Sequence, residues 1–139
     1  MITVVSGTGA PIVLSECGNN ITAIALDDTR VFWSSSGAGE IDVTAKGDPF
    51  VGNCHAASFR TLAQNEMGAS DLALAGDSVV WTNPTTGNVR LVPKSGTCNV
   101  PPCQRTLASS QARPVHVAAD AKAAYWLNDG DHTIWGVGL

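Results

Sequence analysis

The sequence has no cluster of basic residues and no long apolar run. Its eight Lys and Arg are scattered from Arg30 to Lys122, and the formal net charge is −4. A nucleic-acid-binding protein normally carries a basic stripe, so we expect no nucleic-acid partner. A membrane-spanning helix needs ~20 consecutive apolar residues, and residues 1–5 lack the basic start of a signal peptide. We therefore expect no membrane span, and either a cytoplasmic protein or the mature part of a secreted one.

Sequence signatures of common enzymes are also missing. The chain has no Gly-x-Ser-x-Gly elbow, no His-Glu-x-x-His pair and no phosphate-binding glycine loop. Gly7-Thr-Gly9 precedes a predicted strand, which is the wrong context for dinucleotide binding. These absences favour a protein without catalytic activity. They do not exclude an enzyme, because an enzyme can assemble its site from dispersed residues.

Four cysteines are present: Cys17, Cys54, Cys98 and Cys103. Cys98 and Cys103 bracket Asn-Val-Pro-Pro, whose turn formers can bring the two thiols together, so we predict a small loop disulfide and an oxidising compartment. Free thiols are the first alternative. A zinc site is disfavoured because no second ligand pair of similar spacing exists and His55 is a poor substitute. The redox states of Cys17 and Cys54 stay open.

Three segments of the chain align with one another without a gap. They begin at Ile21, Ala69 and Pro114, and they end at Trp33, Trp81 and Trp126. The register extends upstream to Leu14, Leu62 and Leu107, and downstream to Ile41, Val89 and Ile134. Apolar and polar residues alternate within the segments, which indicates strands rather than helices.

Each repeat divides into four short strands, which we label a to d. In the first repeat, strand a covers residues 22–26, strand b ends at Trp33, strand c covers residues 40–44 and strand d surrounds Leu62. Four strands in a unit of this length are typical of a propeller blade. The sequence therefore predicts an all-β protein, a β-propeller with three four-stranded blades per chain.

The repeat boundaries predict how the ring closes. The blades span residues 21–62, 69–107 and 114–139, the last without an outer strand, while residues 1–20 hold an extra strand at 10–15 that has no blade of its own. A lone strand and an open sheet edge are unfavourable, and three blades are fewer than the four to eight that close a ring. We expect a strand-swapped homodimer forming a six-bladed ring, in which residues 1–20 complete a partner blade. The alternative is an excised or engineered piece of a longer propeller.

The repeated cores are Val31-Phe-Trp-Ser34, Val79-Val-Trp-Thr82 and Ala124-Tyr-Trp-Leu127. Together with the strand-a stretches 23–27 and 116–120, they resemble the YWTD and NHL propeller families across nearly the whole chain. This resemblance implies an extracellular or cell-envelope protein that binds proteins or other ligands, with some enzymes among its relatives. Two features depart from the family pattern: Ala75 replaces an Asp, and the usual strand-a glycine is Ala23, Asp71 or His116.

Asp71 and His116 are the candidate ligand-binding residues. They occupy the same position of strand a, the innermost strand of a blade, where polar side chains can approach the central channel. A neighbouring carboxylate and imidazole could hold a divalent cation or anchor a ligand at the channel mouth. The alternative is a hydrogen-bonded pair without a ligand. No other cofactor is expected.

Aromatic residues form matched rows. Core packing is expected for Trp33, Trp81, Trp126, Phe32, Val80 and Tyr125, because they recur in every blade. Trp135 differs, since its counterparts are Asp42 and Arg90. We expect Trp135 to pack on the swapped strand, with an exposed binding surface as the alternative.

The loops joining strand b to strand c, and strand d to the next strand a, emerge on one face of a propeller. Binding sites favour loops on rigid scaffolds. We therefore expect a non-enzymatic binding or scaffold module that presents this face to a protein, a glycan or a small ligand. The alternative is a metal-assisted hydrolase or lactonase with its site around Asp71 and His116.

Overall fold

The structure is a computed structural model that describes residues 2–5, 11–16, 18–49 and 54–139, with the backbone alone described at 2–5. This part of the chain contains β-strands and no helix, and so no helix that could cross a membrane. The strands are β1 (Ile2–Val5), β2 (Pro11–Ser15), β3 (Ile21–Leu26), β4 (Arg30–Ser35), β5 (Glu40–Ala45), β6 (Arg60–Ala63), β7 (Asp71–Ala75), β8 (Ser78–Asn83), β9 (Asn88–Pro93), β10 (Arg105–Ala108), β11 (Pro114–Ala119), β12 (Ala123–Asn128) and β13 (Thr133–Gly138).

The strands form three blades and a hairpin. Blade 1 has the strand order β3-β4-β5-β6, blade 2 has the order β7-β8-β9-β10, and blade 3 has the order β11-β12-β13. Strands β1 and β2 form a separate two-stranded sheet. All neighbouring strands are antiparallel. Each blade is therefore a meander of consecutive strands, as the repeat predicts.

The turns from strand a to strand b explain one departure from the repeat. Asp27 accepts hydrogen bonds from the backbone N–H groups two and three residues further on, and Asp120 does the same in blade 3. Partial burial raises the pKa of Asp27, but these backbone bonds and the Arg30 guanidinium outweigh it and lower the pKa to about 2. Blade 2 has Ala75 instead, and Gly76 makes the turn with a φ of 56°, a conformation that glycine adopts at little cost.

The hydrophobic core lies between the faces of adjacent blades. Blade 1 packs on blade 2 through a cluster that includes Phe32, Ile41, Val43, Leu72, Val79 and Trp81. Blade 2 packs on blade 3 through Ala75, Val80, Val89, Leu91, Ala124 and Trp126. Because both faces of blade 2 are covered, its strand β8 is buried almost throughout and shows little alternation.

Strand β2 lies beside blade 1. Leu14 packs against Val31 and Trp33 of that blade, and its carbonyl accepts a hydrogen bond of 2.9 Å from the N–H of Ala56. The sequence predicted that a strand at residues 10–15, which has no blade of its own, completes a blade of a partner chain. In the structure of the single chain, β2 pairs with β1 of the same chain. The role of this strand in a partner's blade stays a prediction.

The all-β, propeller-like architecture is confirmed. Blades 1 and 2 are four-stranded and blade 3 has three strands. In the described part of the single chain the blades do not close into a ring, so the six-bladed ring and the homodimer stay predictions.

Candidate functional site

The loops at one end of the blades repeat in conformation as well as in sequence position. A positive φ occurs just before strand a at Asn20, Gly68 and Arg113, and at the b–c turns at Gly39, Gly87 and His132. Residues other than glycine seldom adopt this conformation. Its recurrence at Asn20, Arg113 and His132 shows that the surrounding structure fixes the loops.

Backbone hydrogen bonds tie these loops together. The N–H of Glu66 donates to the carbonyl of Gly39, and the N–H of Gln111 donates to the carbonyl of Gly87, each at 2.9 Å. Each d–a loop is thus anchored on the b–c turn of the preceding blade. We call the surface formed by residues 19–20, 36–39, 64–68, 84–87, 109–113 and 129–132 the loop face.

A cleft of about 490 Å³ opens on the loop face between blades 1 and 2. We call it the loop-face cleft; it is lined by Ala38, Glu40, Gln64, Asn65, Met67, Thr85 and Thr86. Its amide, hydroxyl and carboxylate groups supply hydrogen-bond donors and acceptors, while the exposed Met67 supplies apolar surface. A concave site with a few convergent polar groups beside apolar surface is typical of ligand binding.

The backbone of the cleft is anchored from within by Glu66. Glu66 lies between Asn65 and Met67 in the sequence, but its side chain points into the protein and is 1% exposed. It accepts a hydrogen bond of 2.9 Å from Trp81 Nε1 and forms an ion pair with Arg90. Burial raises the pKa of Glu66, while the bonds from Trp81 and Arg90 oppose this shift. These contacts hold the loop in place before any ligand arrives, which reduces the entropy lost on binding.

The same loop position supports the tryptophan of blade 3 but not that of blade 1. Gln111 Oε1 accepts a hydrogen bond of 2.9 Å from Trp126 Nε1, whereas Gly18 stands at this position in the first repeat. Among the described residues, Trp33 Nε1 has no hydrogen-bond partner. The contact was not predicted, although the alignment of the repeats contains its signal: a polar residue at one fixed distance before the tryptophan in two repeats.

A buried acid, Asp42, lies opposite Trp33 on the neighbouring strand β5. Its Oδ1 accepts a hydrogen bond of 2.9 Å from Thr61 Oγ1. Burial raises the pKa of Asp42 to about 7, the bond from Thr61 opposes this shift, and the Glu40 carboxylate adds to it. Asp42 therefore changes charge near neutral pH, which its sequence position alone did not predict.

Asp71 and His116, the candidate site residues, do lie together. His116 Nδ1 is 3.5 Å from Asp71 Oδ2. The same Oδ2 accepts a hydrogen bond of 3.0 Å from the N–H of Val117, and Oδ1 accepts one from the N–H of Leu72. Asp71 thus connects the inner strands of blades 2 and 3. Within the described ranges no three potential metal-ligating side chains come together, and a ligand or divalent cation at this pair stays a prediction.

Five of the six residues in the matched rows are buried, as predicted: Trp33, Trp81, Trp126, Phe32 and Val80. Tyr125 is 55% exposed, so the prediction of core packing is wrong for Tyr125 in the single chain. Trp135 is also half exposed. Tyr125 lies on the face of blade 3 on which no further blade packs in the described structure. Trp135 lies on the opposite face, on the edge strand β13, which has no outer strand beside it in the described residues. Packing of Trp135 on a swapped strand stays a prediction.

Cys98 and Cys103 form the predicted disulfide, with their Cα atoms 5.4 Å apart. Cys54 is also disulfide-bonded, and Cys17 lies outside the described residues. Disulfides persist in oxidising environments, so they favour an oxidising, extracellular location. The disulfide loop runs beside blade 1, where Gln104 Nε2 donates a hydrogen bond of 2.8 Å to the carbonyl of Gln64.

The fold defines the chain as an all-β, propeller-like protein, and solved structures share it. No family model and no curated protein matches the chain. It is similar to a nidogen/laminin complex structure, with a TM-score of 0.69, 18% identity and coverage of 87% of this chain and 45% of that chain. It is also similar to the PQQ-bound aldose sugar dehydrogenase of Streptomyces coelicolor (TM-score 0.62, 20% identity, coverage 86% and 43%). A third similar structure is virginiamycin B lyase of Staphylococcus aureus (TM-score 0.54, 15% identity, coverage 91% and 43%).

These neighbours are propeller proteins of the YWTD/NHL type, which supports the repeat resemblance at the level of fold. They include a protein–protein complex and two enzymes, and one fold can host many unrelated functions. The fold alone therefore does not determine the activity. The chain spans less than half the length of each of these three structures.

Proposed function

We propose that this protein is a non-enzymatic binding module that holds a neutral oligosaccharide in the loop-face cleft. The observation that carries the proposal is the combination of a mixed polar and apolar lining with a backbone anchored by Glu66. Such a site is preorganised, so binding does not have to order the loops first.

The lining suits a sugar. The side chains of Gln64, Asn65, Thr85 and Thr86 can each donate and accept hydrogen bonds, as sugar hydroxyl groups do. Met67 offers apolar surface to the C–H face of a sugar ring. Glu40 is the single charged residue among the described lining residues, and its negative charge disfavours anionic ligands.

Two observations support this reading over the alternatives. Both carboxylate oxygens of Asp71 already accept backbone hydrogen bonds, which leaves this group less free to act in a hydrolase or lactonase. The disulfides fit an extracellular or cell-envelope protein, where glycans and protein partners are accessible.

Saturation-transfer NMR with cellobiose, chitobiose and lactose tests the proposal. We expect signal transfer to at least one of these disaccharides. Thr86→Lys should abolish the transfer, because a long charged side chain fills the cleft while the backbone N–H of residue 86 keeps its bond to Asn83. Thr97→Lys, on the exposed disulfide loop, is the matched control and should bind as wild type does. Transfer that survives Thr86→Lys, or no transfer to any of the three sugars, would contradict the proposal.

The same spectra distinguish binding from catalysis. A binding module leaves the disaccharide resonances unchanged over time. Hydrolysis that disappears in Asp71→Ala, with the circular dichroism spectrum intact, would instead establish the enzymatic alternative.

A further inference from the structure

Blade 3 exposes an apolar face. Tyr125, Leu127 and Ile134 point to this side, and Ile134 is 77% exposed. Together with His116 and Ala118 they line a shallow cavity of about 230 Å³. Soluble proteins seldom leave contiguous apolar surface of this kind open to water unless a partner covers it.

The equivalent face of the other two blades is buried. The counterparts of Tyr125 and Ile134 are Phe32 and Ile41 in blade 1, and Val80 and Val89 in blade 2. All four counterparts are fully buried, because in each case the next blade packs on them. The exposed face of blade 3 thus has the composition of a blade–blade interface.

Blade 1 exposes the complementary face. Its Ile24 and Leu26 are 54% and 60% exposed. Their counterparts in blade 2, Leu72 and Leu74, pack against blade 1 in the core between the two blades. The two ends of the three-blade stack therefore carry the two halves of the interface that already joins its internal blades.

The hairpin beside blade 1 reproduces the outer half of a blade. Strand β2 pairs with β1 in the register Ser15↔Ile2, Val13↔Thr3 and Ile12↔Val4. Blade 1 pairs its outer strand with strand c at the corresponding positions, Ala63↔Ile41, Thr61↔Asp42 and Arg60↔Val43, and the irregularity falls at the same step. Strand β1 therefore occupies the place that strand c takes in a complete blade.

We propose that a second copy of this chain docks its blade 3 on the exposed face of blade 1, and that its β13 takes the place of β1 beside β2. In this arrangement Tyr125 and Ile134 of one copy cover Ile24 and Leu26 of the other. The repeat register sets Trp135 of one copy opposite Val13 of the other. Propellers contain four to eight blades, and two copies of the three described blades supply six. The contact closes as a two-fold ring.

Light scattering on the full chain tests the assembly. We expect twice the chain mass for wild type. Ile134→Glu and Leu26→Glu should each halve the mass, because each places a charge in the proposed interface. Both positions are exposed in the single chain, so the substitutions should not disturb its fold. Val100→Glu is the matched control, because Val100 is 79% exposed and lies in the disulfide loop between β9 and β10, which belong to neither blade 1 nor blade 3. Circular dichroism confirms that the variants are folded.

Cysteine crosslinking tests the register. Val13→Cys combined with Trp135→Cys should link two chains under oxidising conditions, because these residues would be direct neighbours on adjacent strands. Val13→Cys with Leu139→Cys is the control, since it is displaced by four residues, or about 13 Å at 3.3 Å per residue. Equal linking of both pairs, or linking of neither, contradicts the register.

Three results would overturn the proposal. They are a wild-type monomer, a dimer that persists in both Ile134→Glu and Leu26→Glu, and an open series of larger assemblies. A monomer would assign the two faces to further blades of a longer chain. Because the loop-face cleft lies within one chain, its sugar binding would survive all three results.

Discussion

The residues around each tryptophan distinguish the three blades. The strand-c residue opposite the tryptophan is Asp42 in blade 1, Arg90 in blade 2 and Trp135 in blade 3. The residue at the matching d–a loop position is Gly18, Glu66 or Gln111 in the same order. In blade 2 the buried Glu66 forms an ion pair with Arg90. In blade 3 the side-chain amide oxygen of Gln111 accepts the hydrogen bond of the Trp126 indole. Blade 1 has a buried acid without a basic partner among the described residues, so it carries an electrostatic cost.

This cost predicts a pH dependence of stability. The pKa of Asp42 is about 7 in the folded chain, against 3.8 for an unperturbed aspartate. Between these values the folded state keeps a proton that the unfolded state releases, so stability falls as the pH rises through this window. Asp42→Asn removes the titration. We expect it to be more stable than wild type by a few kcal/mol at about pH 8, since one pKa unit corresponds to about 1.4 kcal/mol, and nearly equal to wild type at about pH 4.

Urea unfolding across this pH range measures the effect. An asparagine at position 42 can still accept the hydrogen bond from Thr61, so packing and hydrogen bonding change little. Asp28→Asn, at an exposed position of the a–b turn, serves as the control and should retain the decline of the wild type. If the curves of wild type and Asp42→Asn run parallel from pH 4 to pH 8, the ionisation of Asp42 does not govern this window.

Among the structural elements, the loops between strands c and d vary most. The loop of blade 2 is closed by the Cys98–Cys103 disulfide and reaches blade 1 through the contact of Gln104 with Gln64. Closing a short loop restricts the unfolded chain, which stabilises the folded state by about 2 kcal/mol for a ring of this size.

We therefore expect the double variant Cys98→Ser, Cys103→Ser to lose about 2 kcal/mol of unfolding free energy. Hydrogen exchange should also rise at the loop and at the neighbouring strand β6. Thr97→Ser, within the same loop, is the control and should leave both readouts unchanged. An unaltered unfolding midpoint in the double variant would show that the loop is held by its packing alone.

The repeat alignment predicted most strands, because each tryptophan and its flanking apolar residues recur at fixed spacing. The alignment missed β1, since Ile2–Val5 has no counterpart in the repeat. It also missed the cleft. Glu40, Met67 and Thr86 lie far apart in the sequence, and only the stacking of blade 1 on blade 2 brings them together.

At the scale of the whole molecule, the exposed apolar faces of blades 1 and 3 determine how the chain associates with a second copy in the proposed assembly. If two copies close a ring, folding and association are coupled, and the thermal midpoint depends on protein concentration. Dilution of the wild type should lower the midpoint. Ile134→Glu should show a midpoint that is lower and independent of concentration. Differential scanning fluorimetry over a dilution series measures this, and a concentration-independent midpoint for the wild type would contradict the coupling.

The sequence by itself predicted the all-β, propeller-like fold, the strand order within the described blades, the burial of Trp33, Trp81 and Trp126, and the Cys98–Cys103 disulfide. These features depend on local alternation, on repeat spacing and on residues that are close in the chain. Only the tertiary structure decided the cleft, the burial of Asp42 and Glu66, and the pairing of β1 with β2. Each of these depends on contacts between segments that are distant in sequence, and such contacts arise only when one blade stacks on the next.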